Sequence, residues 1–360
     1  MILFCKSTQI REGMVNAKTI YDENGRVLLR KGNHLSKTAV KIIQEKGFRG
    51  VYIEEENSKL QAPLPEPLIE DTETIRIVAL IKKLYERKEI TEDIYDSQYV
   101  GLLAELYEEV GKIRDTLEKA YQEENLIFEL SDGRSMSNWL PFHCFNTCLL
   151  AIAIAIVQGK QSEEIKDIGF AALVHDLGKS WYGELVNKEG LSEEEKEKLK
   201  GHVDHIYRVL QQQNYSIDIL QGVREHHEKL DGSGYPHGLS GNRIFASARI
   251  VSAANAYDNL TSINPYGEEK LLEAEAINHM SISGFYDPEA VNTLMKIVAR
   301  YPVGTRVLLS NGSSGCVIKN TMGYPERPTV ATSTGIIELT DMSKYASVTI
   351  TKVLDEIEII

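Results

Sequence analysis

Apolar residues recur at helical spacing through most of the chain, and the exceptions lie near its two ends. In Ile20-Tyr-Asp-Glu-Asn-Gly-Arg-Val-Leu-Leu29, the pair Asn24-Gly25 separates two apolar runs, a strong hairpin signal. Ser36 is placed to cap a helix that runs through Lys46 and stops at Gly47. Gly50-Val-Tyr-Ile-Glu54 reads as a strand. Residues 1–57 are therefore expected to form a small α+β domain. In the linker that follows, 58–71, Pro63, Pro65 and Pro67 alternate with other residues, which suits an extended stretch and not a helix.

Residues 72–130 carry Leu, Ile, Glu, Lys and Tyr at a helical period. Two or three helices fit, with Gly101 and Gly111 as weak points. This connecting segment could pack on its neighbour or pair with a second chain as a homodimer. Residues 131–300 read as mostly helical: Ala and Leu recur around 149–157 and 170–174, and the Ala-rich run Ala246–Ala256 suggests close helix packing. One loop interrupts, Asp231-Gly-Ser-Gly-Tyr-Pro236, and Pro141 is a candidate helix start. From 301 to 360 the texture is β-rich. Val307-Leu-Leu309 and Cys316-Val-Ile318 flank Asn311-Gly312 and Gly315, and Ile336-Ile-Glu-Leu339 and Ser347–Val353 read as further strands.

Length and composition narrow the function. A chain of 360 residues suggests two to three domains, and 42% apolar with 26% charged residues excludes global disorder. The longest apolar run, Leu149–Val157, is about half of the roughly 20 residues a membrane helix needs, and the start has no signal-peptide h-region. A cytoplasmic protein without a membrane partner is expected. The net charge of -13 argues against a nucleic-acid polymer, which needs a basic face, but not against a small phosphorylated ligand held by metal ions. Cys5, Cys144, Cys148 and Cys316 form no CxxC pair, so neither a zinc knuckle nor a disulfide framework is indicated.

The chemistry lies in the histidines. His175-Asp176 ends an apolar helical run and is followed by Leu177-Gly178-Lys179; His226-His227-Glu228 precedes the glycine-rich loop. Neutral imidazoles with carboxylates are ligands for Zn, Fe, Mn, Co or Ni. Two adjacent pairs, with His143 and His202 on other helices, point to one shared metal cavity.

These strings make the chain similar to the HD-GYP family, a branch of the HD phosphohydrolases. The match rests on His175-Asp176-x-Gly178-Lys179, on His226-His227-Glu228-x-x-Asp231-Gly-Ser-Gly-Tyr235-Pro236, on His143 with Asn146, and on His202 in Gly-His-Val-Asp204. The fold expected is mainly α, a helical HD-type bundle with a small N-terminal α+β unit and a short β-rich C-terminal tail. The resemblance implies an enzyme that uses two divalent metal ions, iron or manganese, to hydrolyse cyclic di-GMP to pGpG or GMP. It implies that Asp176 bridges the ions, that His143 and His175 serve the first, and that His202, His226 and His227 serve the second. Lys179 would neutralise charge building on the phosphate, and Tyr235, with Gly234 and Asp231 of its loop, would contact the ligand.

The chain also departs from the pattern. The family's Ala-Asp-x-x-Asp-Ala string is Ala254-Asn255-Ala-Tyr-Asp258-Asn259 here, which puts the neutral Asn255 at a ligand position. Asp258 is either a compensating ligand or a hydrogen-bonding residue inside the bundle. The usual Arg-Pro-Tyr-Arg-like stretch is Asn264-Pro265-Tyr266-Gly267, without either arginine. Trp139 stands where some members have a glutamate for a third metal, so two metals at most are expected. His205 and His237 fall outside the motif and are expected at the surface. Three readings follow: a cyclic di-GMP phosphodiesterase; a degenerate module that binds nucleotide or a partner protein without turnover; and a phosphohydrolase for another phosphoester.

Overall fold

The Ser36 hydroxyl accepts a hydrogen bond from the Ala39 N–H at 3.1 Å and opens helix α1, Lys37–Glu45. In the computed structural model of the chain, the described residues are 2–21, 26–46, 48, 50–54, 64–86, 97–129, 139–262, 264–266 and 270–354. The expected turn at Asn24-Gly25, the stop at Gly47, Pro63, residues 131–138 and Gly267 lie outside them. The chain divides into two units. Met1–Leu68, Glu124–Ser135 and Met295–Ile360 form one; Ile69–Glu123 and Met136–Leu294 form the other.

In the first unit, strands β1 (Ile2–Lys6), β2 (Val15–Asn16) and β5 (Gly50–Glu54) make an antiparallel sheet in the order β1-β5-β2. β3 (Ile20–Tyr21) and β4 (Val27–Leu29) pair antiparallel, Ile20 opposite Leu29, as the hairpin pattern predicts. Ile10, Leu35, Ile43, Phe48, Val51 and Ile53 form the core beneath them. The C-terminal segment is an antiparallel sheet in the order β10-β6-β7-β8-β9, from β6 (Arg306–Leu309), β7 (Ser314–Lys319), β8 (Thr329–Thr332), β9 (Gly335–Glu338) and β10 (Ile350–Val353). The sequence pattern missed β8. It is buried on both faces, so it has no in–out alternation to read.

The second unit is helical: α2 (Asp71–Tyr85), α3 (Ser97–Gln122), α4 (Trp139–Val157), α5 (Ser162–Val174), α6 (Glu193–Leu199), α7 (His202–Gln212), α8 (Ile217–Glu225), α9 (Ala246–Thr261) and α10 (Glu273–Ser283). α3 runs unbroken through Gly101 and Gly111, against the expectation of weak points there. Ser192 opens α6 with a capping box to Glu195, and Ser216 caps α8. α4 is buried from Trp139 to Ile156 and packs against α5 and α9. At 19 residues it is long and apolar enough to cross a membrane, but its surroundings here are other helices. The shorter run Leu149–Val157 understated it, because His143, Asn146 and Thr147 are buried with the apolar residues. The helix starts at Trp139, two residues before Pro141, which lies in its first turn.

An aromatic cluster ties α3 and α5 to the turn after α7. Phe170 stacks on Tyr215 with ring centroids 5.2 Å apart and takes the edge of Tyr107, also at 5.2 Å. Phe170 is fully buried. Phe170→Ala should therefore destabilise this unit by about 3–5 kcal/mol, measured as the shift of its urea unfolding transition.

Candidate metal centre

Three histidines lie at helix ends and share one geometry. His175 ends α5, His202 begins α7 and His226 ends α8. Their Nδ1 atoms lie 2.7–2.8 Å from the carbonyl oxygens three residues earlier, those of Ala172, Leu199 and Val223. A carbonyl only accepts, so each Nδ1 carries a proton, which leaves Nε2 as the ring atom turned to the metal centre. His143 is oriented differently: its Nδ1 is 2.6 Å from Asp258 Oδ2. Asp258 thus serves as a hydrogen-bonding residue inside the bundle, and its other oxygen accepts from Asn146 Nδ2 at 3.2 Å.

The Nε2 atoms converge on Asp176, at the break between α5 and the tight helical stretch Leu177–Asn187. Oδ2 of Asp176 lies 3.7 Å from His143 Nε2 and 3.5 Å from His175 Nε2, which are 3.3 Å from each other. Oδ1 lies 3.2 Å from His202 Nε2 and 3.8 Å from His226 Nε2. The donors form two groups, His143, His175 and Asp176 in one and Asp176, His202, His226 and His227 in the other, each with all atoms within 4.8 Å. Gly178 makes this convergence feasible: a Cβ there would stand 2.0 Å from the His202 carbonyl oxygen, so any side chain would push α7 away.

Four of these atoms make no hydrogen bond although buried: Asp176 Oδ1 and the Nε2 atoms of His202, His226 and His227. Leaving such groups unpaired costs about 1–3 kcal/mol each, which a cation among them would offset. The donor set, neutral imidazoles around one carboxylate, fits a divalent transition metal. Burial, reinforced by neighbouring imidazoles, holds His226 and His227 well below the ordinary histidine value. Burial pushes His175 down to about 4 against the opposite pull of Asp176. Burial also opposes the Asp176 carboxylate, yet Lys179 and then the histidines keep it well below the carboxylate range.

Lys179 Nζ is 2.6 Å from Asp176 Oδ2, in a buried position. Its ammonium lies 5.6 Å from the Trp139 ring centre and 5.4 Å from that of Tyr266, a cation–π cage. Trp139 is itself fixed by a 2.9 Å hydrogen bond from Nε1 to Asn187 Oδ1. On the other side, Tyr235 stacks on His227 with centroids 4.6 Å apart. Its loop hangs on Glu228, a residue the motif contains but sequence reasoning did not single out. The buried Glu228 carboxylate accepts from the N–H groups of His237 and Leu239 at 2.7 and 2.9 Å. Gly234 packs against the chain, where a Cβ would meet the His227 carbonyl oxygen at 2.4 Å. Asp231 is exposed, and its Oδ1 accepts from the Ser233 N–H and hydroxyl. Asn255 is buried on α9, one turn before Asp258, and its Oδ1 accepts from Asn259 Nδ2 at 2.8 Å. His237 is exposed as expected, but His205 is half-buried and stacks on Trp181 at 5.4 Å.

An HD-domain family model matches residues 130–290. The chain is 31% identical over 199 residues to the cyclic di-GMP phosphodiesterase PA4108 of Pseudomonas aeruginosa, covering 54% of this chain and 48% of that protein. It is 33% identical over 208 residues to the cyclic di-GMP phosphodiesterase of Thermotoga maritima, covering 54% and 56%. Residues 130–290 thus resemble an HD domain. The chain spans about half the length of these curated relatives. It also resembles the 3′3′-cGAMP-specific phosphodiesterase 3 of Vibrio cholerae, 32% identical over 135 residues, 37% of this chain and 29% of that one. In fold it resembles the HDG"Y"P protein Bd1817 of Bdellovibrio bacteriovorus, with a TM-score of 0.50 and 19% identity over 82% of this chain and 98% of that one.

The buried imidazoles of this domain make its stability pH-dependent. A histidine held neutral in the fold and protonated in the unfolded chain contributes stability that is full above about pH 6.5 and fades as pH falls toward the folded value. For His175, at about 4, that amounts to about 3 kcal/mol. Metal-free protein should therefore lose urea resistance between pH 7 and pH 4.5, and His175→Gln should lose less over the same interval.

Proposed function

We propose that the chain is a metal-dependent phosphodiesterase acting on cyclic di-GMP or a closely related cyclic dinucleotide. The observation that carries this reading is the double cluster on one carboxylate, with His143 and His175 about one oxygen of Asp176 and His202 and His226 about the other. In this reading His143, His175 and Asp176 hold a first divalent ion, with Asn255 as a weak further donor. Asp176, His202, His226 and His227 hold a second. Iron or manganese suits this nitrogen and oxygen set. Bound there, such ions would draw charge from phosphoryl oxygens and acidify water. The names of the relatives at 31–33% identity, phosphodiesterases of cyclic dinucleotides, support the substrate class.

The chain's own residues then have defined work. The Nδ1 bonds orient the four imidazoles before any ion arrives. Lys179, buried beside Asp176, supplies positive charge where the phosphate gains negative charge as the P–O bond breaks. Tyr235, flat against His227, offers a ring face to the ligand at the mouth, with Gly234 and Asp231 shaping its loop. A second reading, a module that binds without turnover, is favoured by one observation: Asn255 is a neutral carboxamide already engaged by Asn259.

Metal analysis of anaerobically purified protein, with a cyclic di-GMP hydrolysis assay in Fe(II) and Mn(II), tests the reading. Turnover with two bound ions is expected; metal-loaded protein that binds the dinucleotide and leaves it intact selects the second reading. Lys179→Ala should lower kcat about 100–1000-fold in steady-state kinetics with metal content unchanged. Asn255→Asp should raise both the metal content and the rate, and no change in either would remove Asn255 from the donor set.

A further inference from the structure

Helix α4 holds Asp176 with two adjacent residues. His143 faces the carboxylate, its Nε2 3.7 Å from Asp176 Oδ2. Cys144 faces the main chain, and its sulfur accepts a hydrogen bond from the Asp176 N–H. Asp176 stands at the break between α5 and Leu177–Asn187 with φ -95° and ψ 0°, in the bridge region between helical and extended conformations. A buried N–H at the end of a helical ladder needs another acceptor, and the thiol supplies it. On its other side, the Asp176 carbonyl accepts from the Lys179 N–H at 2.9 Å. The carboxylate shared by the two donor groups is therefore aimed by a backbone that a thiol helps to hold.

The thiol is held in turn. Tyr85 Oη, on α2, lies 3.3 Å from Cys144 Sγ, which is 59 positions away in the chain. Burial raises the Tyr85 hydroxyl well above the ordinary tyrosine value, so it keeps its proton and is able to donate to the sulfur. α2 is anchored along its length: Ile77, Val78, Leu80, Ile81 and Leu84 are buried, and the helix packs on α4 and on Leu177–Asn187. Space beside α4 is filled as well by a phenyl ring as by a phenol, so the buried hydroxyl is accounted for by its bond and not by its volume. Tyr85 precedes residues 130–290, so this contact is made by the connecting helices and not by the matched domain.

We propose that Tyr85 is a positioning residue for Asp176 that acts through Cys144, so that α2 helps to set the metal affinity of the centre. The proposal rests on the metal-binding part of the phosphodiesterase reading and not on its substrate.

The test is calorimetric titration of Mn(II) into the metal-free full chain, for wild type, Tyr85→Phe, Cys144→Ala, Cys144→Ser and the double variant Tyr85→Phe/Cys144→Ala. Tyr85→Phe keeps the ring and removes one oxygen atom. Loss of a group that orients a metal ligand typically costs about 10–100-fold in affinity. Tyr85→Phe and Cys144→Ala should each weaken Mn(II) binding about tenfold. Both act along one chain of hydrogen bonds, so the double variant should bind no more weakly than Cys144→Ala alone. Cys144→Ser keeps a hydrogen-bonding atom between the Tyr85 hydroxyl and the Asp176 N–H and should recover most of the loss. In metal-free protein, the S–H stretching band of Cys144, assigned by infrared difference against Cys144→Ala, should shift in Tyr85→Phe. Equal Mn(II) affinity in wild type and Tyr85→Phe, losses that multiply in the double variant, or an unmoved S–H band overturns the proposal. A wild type that binds no Mn(II) overturns it together with the metal reading. Cyclic di-GMP cleavage is read separately. The expected Mn(II) pattern in a protein that leaves cyclic di-GMP intact upholds Tyr85 and overturns the substrate assignment. Cleavage with unchanged Mn(II) affinity in Tyr85→Phe does the reverse.

Discussion

The buried Asp176 carboxylate is the constraint around which the helical unit is arranged. An ionised carboxylate removed from water costs several kcal/mol unless positive charge or donors surround it. Here Lys179 approaches one oxygen at 2.6 Å, and four imidazole nitrogens stand within 3.8 Å of the two oxygens. Each neighbour comes from a different place: α4 brings His143, the end of α5 His175, the start of α7 His202 and the end of α8 His226. Packing of those helices and solvation of one carboxylate are therefore the same problem. The alanines of α9 and the missing side chain at Gly178 let the backbones come close enough to solve it.

Much of the centre was legible because its ligands sit in short contiguous strings. His175-Asp176 and His226-His227 announce themselves, and His202 followed from the resemblance, which has a histidine between those two strings. What was not legible depends on pairs far apart in the chain. Asp258 was open between ligand and hydrogen-bonding residue until its partner was known, and that partner, His143, is 115 positions away. The cage of Trp139, Lys179 and Tyr266 draws on three separate segments, none of which carries a pattern of its own. In the fold, hairpin and helix-cap signals marked β3, β4 and α1 well. β8 escaped because a strand buried on both faces shows no period of two, and α3 ignored its glycines because tertiary packing outweighs about 1 kcal/mol of helix propensity.

The charge balance of the molecule also bears on the site. A net charge of -13 opposes the approach of an anionic ligand from afar. Attraction must therefore be local. In the proposed phosphodiesterase Lys179 would provide it inside the centre, and Lys200, whose ammonium lies 5.5 Å from the Tyr235 ring centre, at the loop. Added salt screens the distant repulsion more than the short-range contacts, so a phosphorylated ligand of this centre should tolerate ionic strength well.

The orientation of the imidazoles has a consequence for how the centre can change over generations. His175, His202 and His226 are each held by a main-chain carbonyl of their own helical turn. No substitution of a neighbouring side chain removes a carbonyl, so these three rings are insulated from drift in the residues around them. His143 alone among the four with a resolved Nδ1 contact depends on a side chain, Asp258. The two halves of the centre therefore age differently: the His202/His226 half has its aim built into the backbone, while the His143 half can be lost through one codon that does not itself encode a ligand.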